Sequence, residues 1–292
     1  MPLQPTSRRA AAPFATQAQF YGLLTDLIGT WAGHGFNLIS RPAFDIHASF
    51  VLQVNPTKEV LTFSPIGGVI PDRGSVEPDL DLFALAYTQL VSDENTSALL
   101  HIEDGMWMNQ SVGAAPPQTI TRLASIPHGT SVLAQGTAFT IDGAPTIASV
   151  SPVPTLVDGG AVGEGYFPPE PPVAPQVDPA PIDPAFNIAN PNTALTDVIK
   201  DQTITNTTVL KVSTVAKPEG PLGGGILNIP FVTRNANAIF MEATFWIETV
   251  TPASGPPFLQ LQYTQNVTLQ FPDTHGRLIN WPHISLSTLV KN

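Results

Sequence analysis

The sequence predicts an all-β fold: a closed antiparallel β-barrel, capped by one N-terminal helix and interrupted by a long Pro-rich insertion. Strand-like runs follow one another along the chain, and residues 258–271 alternate apolar and polar side chains like a half-buried antiparallel strand. A Gly-x-Trp stretch, Gly29-Thr-Trp31, joins an amphipathic run to the first strand-like run. The last strand-like run, residues 279–290, could pair with the first strand and leave no open edge.

The amphipathic run covers residues 14–28. Four apolar side chains recur there at positions i, i+3, i+4 and i+7 and so share one helical face: Phe20, Leu23, Leu24 and Leu27. Thr16 is the predicted N-cap. Gly29 is expected to end the helix, because glycine allows the sharp turn into a strand, and the indole of Trp31 then plugs that end of the barrel.

Turn residues and alternation divide the rest of the chain into strands. Residues 44–54 and 59–64 are predicted to form a hairpin around the turn Asn-Pro-Thr-Lys at residues 55–58. The further predicted strands are residues 80–91, 98–108, 119–125, 131–139, 203–214, 238–250, 258–271 and 279–290. Strands are expected to resume at Leu195, and no second helix is predicted.

The chain is expected to form one domain. Residues 1–13 are predicted to be a flexible N-terminus, and residues 14–292 a single β-barrel domain. The Pro-rich insertion at residues 158–193 cannot supply the hydrogen-bonded ladder of a sheet, because proline has no backbone N–H. A homo-oligomer stays open, since an arm that reaches a neighbouring subunit would be one use for this insertion.

The composition of the chain excludes several classes of binding partner. With 12 Lys and Arg and a formal net charge of −11, the chain lacks the positive charge on which nucleic-acid affinity depends. No apolar run approaches the roughly 20 residues of a spanning helix, and residues 1–13 lack the apolar core of a signal peptide. We therefore expect a soluble, cytoplasmic protein that binds neither nucleic acid nor membrane. The absence of cysteine excludes disulfides, thiolate metal sites and cysteine nucleophiles.

Two histidines are candidates from their positions. His101, Glu103 and Trp107 share one strand face, because alternate residues point to the same side. One interpretation is that His101 points into the barrel and Glu103 fixes its tautomer; the alternative is an exposed polar face with Trp107 at the rim. His34 lies between two glycines, where the backbone could pass close to a ligand, or it is an exposed histidine on the entry strand.

Five short segments resemble a known family. They are Leu27-x-Gly-Thr-Trp-x-Gly-x-Gly35, His101-x-Glu-x-Gly105, Gly105-Met-Trp-Met108, Ser125-Ile-Pro-His-Gly129 and Leu133-Ala-Gln-Gly136. Together they are similar to segments of the nitrobindin-like, fatty-acid-binding-protein-like haem-binding barrels, which are lipocalin-like in shape. The resemblance implies a lipocalin-like antiparallel barrel that holds haem.

The resemblance also implies an axial ligand. In that family the last strand begins with the histidine that binds the iron, and His283 followed by alternating apolar residues is similar to that pattern. A histidine is a sensible donor here because the chain has no cysteine, and a barrel has room for a flat apolar ligand. We expect His34, Trp31 and Trp107 to be further cofactor contacts. The alternative for His283 is that it faces water, since its strand parity is shared by two serines.

Three functional hypotheses follow. The first is a barrel that binds a flat hydrophobic ligand, with haem on His283 and gas-binding or peroxidase-like chemistry as the resemblance implies. The second is a cofactor-free enzyme in which His101 and Glu103 act as an acid–base pair on a small apolar substrate. The third is a passive carrier of an apolar metabolite.

Overall fold

Ten antiparallel strands close into a barrel, which confirms the predicted fold class. The structure is a computed structural model that describes residues 19–43, 48–110, 115–158, 160, 162, 186–215, 223–272 and 276–292. Thr16, residues 44–47 of the first predicted hairpin strand and most of the Pro-rich insertion lie outside the described residues. Within the described part, no helix is long and apolar enough to cross a membrane.

The strands of the described residues have the following bounds. They are β1 (Gly29–Ala43), β2 (Ala48–Pro65), β3 (Ile70–Asp72), β4 (Leu80–Asp93), β5 (Leu99–Asn109), β6 (Gln118–Ile126), β7 (Thr130–Asp142), β8 (Thr155–Leu156), β9 (Ile204–Ser213), β10 (Gly224–Asn228), β11 (Asn237–Val250), β12 (Phe258–Pro272) and β13 (Leu278–Lys291). The helices are a 3-10 helix (Gly22–Leu27), α1 (Thr193–Ile199) and α2 (Pro230–Asn235). The strands predicted within residues 80–139 and 203–290 are thus confirmed.

The barrel closes through its first and last strands. The order of strands around it is β1-β2-β4-β5-β6-β7-β9-β11-β12-β13, and β13 then pairs with β1 from Trp31↔Lys291 to Leu38↔Ile284. The short strands are additions to this ring, because β3 pairs with β4, β8 with β13 and β10 with β7. This arrangement has the closing pair that the sequence predicts.

The N-terminal helix closes one end of the barrel. It ends at Leu27, and Gly29 follows with φ +126°, a conformation that favours glycine. Trp31 is fully buried beside it, and its Nε1–H donates a 2.7 Å hydrogen bond to the Leu27 carbonyl. The ammonium of Lys291 lies 5.2 Å from the centre of the same indole ring. Large apolar side chains fill the barrel below this cap, among them Leu61, Phe63, Leu85, Trp107 and Phe245.

The turn predicted at residues 55–58 is wrong, because β2 runs straight through it. Pro56 pairs with Phe36 of β1, whereas pairing between β2 and β4 begins only at Thr57. The Pro56 carbonyl accepts a 2.9 Å bond from the backbone N–H of Glu94, just past the end of β4. Pro56 has no backbone N–H to donate, and on that side of β2 no partner in a strand ladder requires one.

The prediction that strands resume at Leu195 is also wrong, because Leu195 lies in α1. This helix has seven residues, too few for a helical period to stand out in the sequence. Leu195 and Phe186 pack on apolar side chains that point outward from the barrel strands: Leu38, Val209, Trp246, Ile284 and Leu286. The wall of the barrel is therefore apolar on its outer face where α1 covers it.

Candidate functional site

A cavity of about 390 Å³ occupies the half of the barrel away from the N-terminal helix. Its volume lies within the range of small-molecule sites. Apolar side chains form much of its wall: Val132, Ala238, Met241, Val267 and Leu269. Ile226 of β10 and Phe231 of α2 also line it. The barrel thus has one end filled by aromatic residues and one end that can admit a ligand.

A hydrogen-bonded polar belt separates the filled end from the cavity. Its members are Glu59, Tyr87, Gln89, Glu103, Arg122, Tyr263, Gln265 and Ser287. Apart from Glu59 and Tyr87, all of these line the cavity. Buried polar groups are tolerated when hydrogen bonds satisfy them, and in this belt each member bonds to another.

The ion pair between Arg122 and Glu103 is the charged centre of the belt. Arg122 Nη2 lies 2.6 Å from Glu103 Oε1, and the two side chains are 3% and 1% exposed. Tyr87 donates to the same carboxylate oxygen, and Arg122 Nη1 donates a 2.6 Å bond to Gln265. Burial alone would raise the pKa of Glu103, but the Arg122 guanidinium and the hydrogen bonds outweigh it and lower that pKa to about 2. Glu103 is therefore ionised at neutral pH.

A second carboxyl group in the belt is bonded by three neutral side chains. Glu59 accepts a 2.7 Å bond from Gln89, a 2.7 Å bond from Tyr263 and a 2.7 Å bond from Ser287. Burial raises the pKa of Glu59 above its ordinary value although these bonds favour the ionised form. The belt therefore pairs one carboxylate, Glu103, with a cation, whereas burial favours the protonated form of the other, Glu59.

His101 and His128 lie together in the cavity wall. His101 Nε2 lies 3.3 Å from Glu103 Oε2, and the His101 and His128 ring centres are 6.2 Å apart, edge to face. Because an ionised carboxylate only accepts hydrogen bonds, Nε2 of His101 is the protonated nitrogen of that contact. Burial, together with His101, lowers the pKa of His128.

His283 also lines the cavity, which corrects the alternative that it faces water. The outward parity of β13 belongs to Ile284 and Leu286, which pack under α1, so the inward parity carries His283 and the serines. His283 Nε2 lies 2.8 Å from Asn37 Oδ1. Burial, with His101 and His128 elsewhere in the cavity wall, lowers the pKa of His283 to about 4, so the imidazole is neutral at pH 7.

The remaining predicted site residues lie elsewhere. His34 is on the outside of the barrel, where its side chain is 62% exposed and lies 3.2 Å from Glu94, and it does not line the cavity. Trp31 and Trp107 belong to the filled end and are not part of the cavity wall. Trp107 instead lies against Arg122, whose guanidinium carbon is 5.7 Å from the centre of the indole.

Sequence reasoning missed Arg122, Glu59 and the cavity role of His128. Arg122 interrupts an otherwise apolar and hydroxylic strand, Gln118–Ile126, in a chain with only 12 Lys and Arg. A lone cation on the inward parity of such a strand is the signal that could have identified it. Glu59 offers no comparable signal, because its neighbours alternate as they do on an ordinary half-buried strand.

The described residues fit a haem-type cofactor in one respect and offer no ready site for a protein-held metal. His283 presents a neutral imidazole, the form that ligates iron, in a cavity with apolar walls. Within the described part of the chain, no group of three or more His, Asp or Glu side chains is arranged to hold a metal ion. His283 is thus the side chain that could bind an iron held by a cofactor.

Comparisons with known proteins give little further guidance. No protein-family model matches the chain, and no curated protein matches it. Among solved structures, the chain is similar to one described as "Crystal Structure of Rv2717c from M. tuberculosis", with 14% identity and a TM-score of 0.44 over 97% of this chain and 99% of that one. A likeness of this degree carries no functional argument.

Proposed function

We propose that the barrel binds a flat apolar ligand in its cavity and that this ligand is haem, with His283 as the axial donor. The observation that carries the proposal is the position of His283 in an apolar-walled cavity, where Asn37 Oδ1 lies 2.8 Å from its Nε2. Haem, when bound, supplies an iron that can bind diatomic gases or activate peroxides, the chemistry that the resemblance to nitrobindin-like barrels implies.

The residues around His283 suit an axial donor. The Nε2–H donates to Asn37 Oδ1, which orients the ring and leaves the lone pair on Nδ1. Metal-binding histidines ordinarily donate their other ring N–H to an oxygen acceptor in this way. Val267 pairs with His283 on the adjacent strand and also lines the cavity, so an apolar surface flanks the imidazole.

A haem titration tests the proposal. The purified protein should develop a Soret band as haem is added, and His283→Ala should lose the shift that marks axial histidine ligation and bind haem more weakly. His34→Ala is the matched control, because its imidazole is exposed on the outside of the barrel. A protein without a Soret band, or a His283→Ala variant whose spectrum and affinity equal those of the wild type, would contradict the proposal.

A second candidate function is cofactor-free acid–base catalysis on a small apolar substrate. The contact between His101 and the ionised Glu103 favours it, because an oriented imidazole in a cavity can act as a general base. Glu103 would then orient His101 rather than transfer protons itself. A haem-independent turnover that is lost in His101→Ala and retained in His283→Ala would support this candidate over haem binding.

The third candidate function is a passive carrier, which the same titration distinguishes from haem binding and from catalysis. Tight binding of a fatty or aromatic ligand, with no Soret band and no turnover, is the result it predicts. The apolar walls suit such a ligand, but the histidines and the ion pair of the polar belt would then have no task beyond stability.

A further inference from the structure

The cavity has histidines on opposite walls. Counting around the barrel from β1, β13 is the tenth strand, whereas β5 is the fourth and β6 the fifth. His283 therefore projects from one side of the ring, and His101 on β5 and His128 after β6 project from the other. All three line the same cavity, so a ligand that lies against His283 has the His101–His128 pair across from it.

The two walls differ in their chemistry. His283 is oriented by a neutral amide, Asn37, whereas His101 is oriented by a carboxylate, Glu103. Because the Nε2–H of His101 donates to Glu103, its Nδ1 carries a lone pair, and the carboxylate stabilises the imidazolium that forms if Nδ1 takes up a proton. His101 is thus the histidine of the three that is equipped to accept a proton.

The other charged and titratable groups around His101 do not prevent this role. Arg122 is paired with Glu103 by a 2.6 Å contact, so its charge is compensated within the polar belt. His128, whose ring centre lies 6.2 Å from that of His101, has a pKa that burial and His101 both lower. Its imidazole can donate one N–H to an anion while His101 holds the proton.

We propose that His101 is the base that accepts the proton of a small weak acid H–X, a hydroperoxide or a molecule of similar acidity and size, as that molecule binds in the cavity as the anion X⁻. The H–X bond breaks, the proton passes to Nδ1 of His101, and the electron pair stays on X. The inference rests on the proposed function, because haem, when bound, would supply the iron that stabilises X⁻ as an anion.

Hydrogen cyanide and carbon monoxide together test this assignment. Hydrogen cyanide must lose a proton to bind as an anion, whereas carbon monoxide has none to lose and is of similar size. The rate of cyanide association with the ferric, haem-loaded protein should fall about 10²-fold in His101→Ala, the usual contribution of one general base. The rate of carbon monoxide association with the ferrous protein should stay within about twofold of wild type, because no proton moves in that reaction.

Two further variants sharpen the test. His34→Ala changes an exposed histidine outside the barrel and should leave both association rates unchanged. Exogenous imidazole should restore part of the cyanide rate in His101→Ala, which a purely structural role of His101 would not allow. His128→Ala should speed the dissociation of cyanide, because the bound anion loses a hydrogen-bond donor.

The possible results separate this inference from the proposed function. A Soret band in His101→Ala with an unchanged cyanide rate would overturn the role of His101 and leave haem binding intact. Equal losses for cyanide and carbon monoxide would also overturn it, because they would show that the side chain shapes the cavity rather than accepts a proton. A wild-type protein that binds no haem would contradict the proposed function, and this inference would fall with it.

Discussion

Replacement of Arg122 by methionine should destabilise the barrel in a way that depends on pH. The ordinary glutamate pKa of 4.5 and the value of about 2 for Glu103 differ by an amount equivalent to about 3 kcal/mol. That stability is present above pH 4.5 and is lost as the pH falls toward 2, since the folded protein holds the carboxyl ionised more strongly than the unfolded chain does. Removing one member of a buried ion pair typically costs about 3–5 kcal/mol.

The Arg122→Met variant should show the opposite dependence on pH. Without the guanidinium, burial is the largest effect on Glu103 and only the bonds from Tyr87 and His101 oppose it, so its pKa should rise and the folded protein should favour the protonated carboxyl. The stability deficit relative to wild type should be largest at pH 8 and should shrink as the pH is lowered to 5. Urea unfolding at several pH values measures it as a difference in free energy of unfolding.

Two control variants decide whether the charge causes this effect. A double variant, Arg122→Met with Glu103→Gln, has no stranded charge and should recover part of the lost stability at pH 8. Arg73→Met breaks the exposed pair with Asp79 and should cost less than about 1 kcal/mol. A single Arg122→Met variant that is as stable as the double variant, or whose deficit is the same at pH 5 and pH 8, would refute the reasoning.

Three further predictions concern the cap, the outer wall and the axial ligand. Gly29→Ala should lower the free energy of unfolding by about 1–3 kcal/mol in urea, because φ is +126° there; an unchanged midpoint would contradict it. Glu248 accepts a 2.7 Å bond from Gln260 and burial raises its pKa to about 7, so wild type should lose stability as the pH rises from 4.5 through 7 and Glu248→Gln should not. The two should be equally stable at pH 5, and equal stability also at pH 8.5 would show that Glu248 is solvated. Asn37→Ala should weaken haem binding about 10-fold, as loss of an outer hydrogen bond to a metal-binding histidine does. An unchanged Soret titration would show that the bond from His283 to Asn37 does not support haem binding.

The barrel could be predicted from the sequence because local patterns report it directly. Alternation in residues 258–271 and the Gly29-Thr-Trp31 stretch are each set by neighbouring residues, and both appear in the structure as β12 and as the stoppered end. The proline at residue 56 could not be interpreted locally. A proline in a strand is acceptable only where a neighbouring strand has ended, and that depends on the register between β2 and β4.

The candidate site was predictable only in part, for a related reason. His101 and Glu103 are neighbours on one strand, so parity alone placed them together. His283 was ambiguous, because parity says which residues share a face but not which face is inward. The outward face of β13 proved to be the apolar one, since α1 covers it. Arg122 on β6 pairs with Glu103 on the adjacent strand β5 inside the barrel, and no local sequence pattern indicates a contact between two strands.

A crystal structure of the protein grown with haem, with anomalous diffraction measured at the iron edge, tests the central claim most directly. We expect one iron peak inside the barrel cavity, at bonding distance from an imidazole nitrogen of His283, with His101 and His128 on the opposite side. A peak on an exposed histidine such as His34, or a cavity that holds no iron at saturating haem, would contradict it.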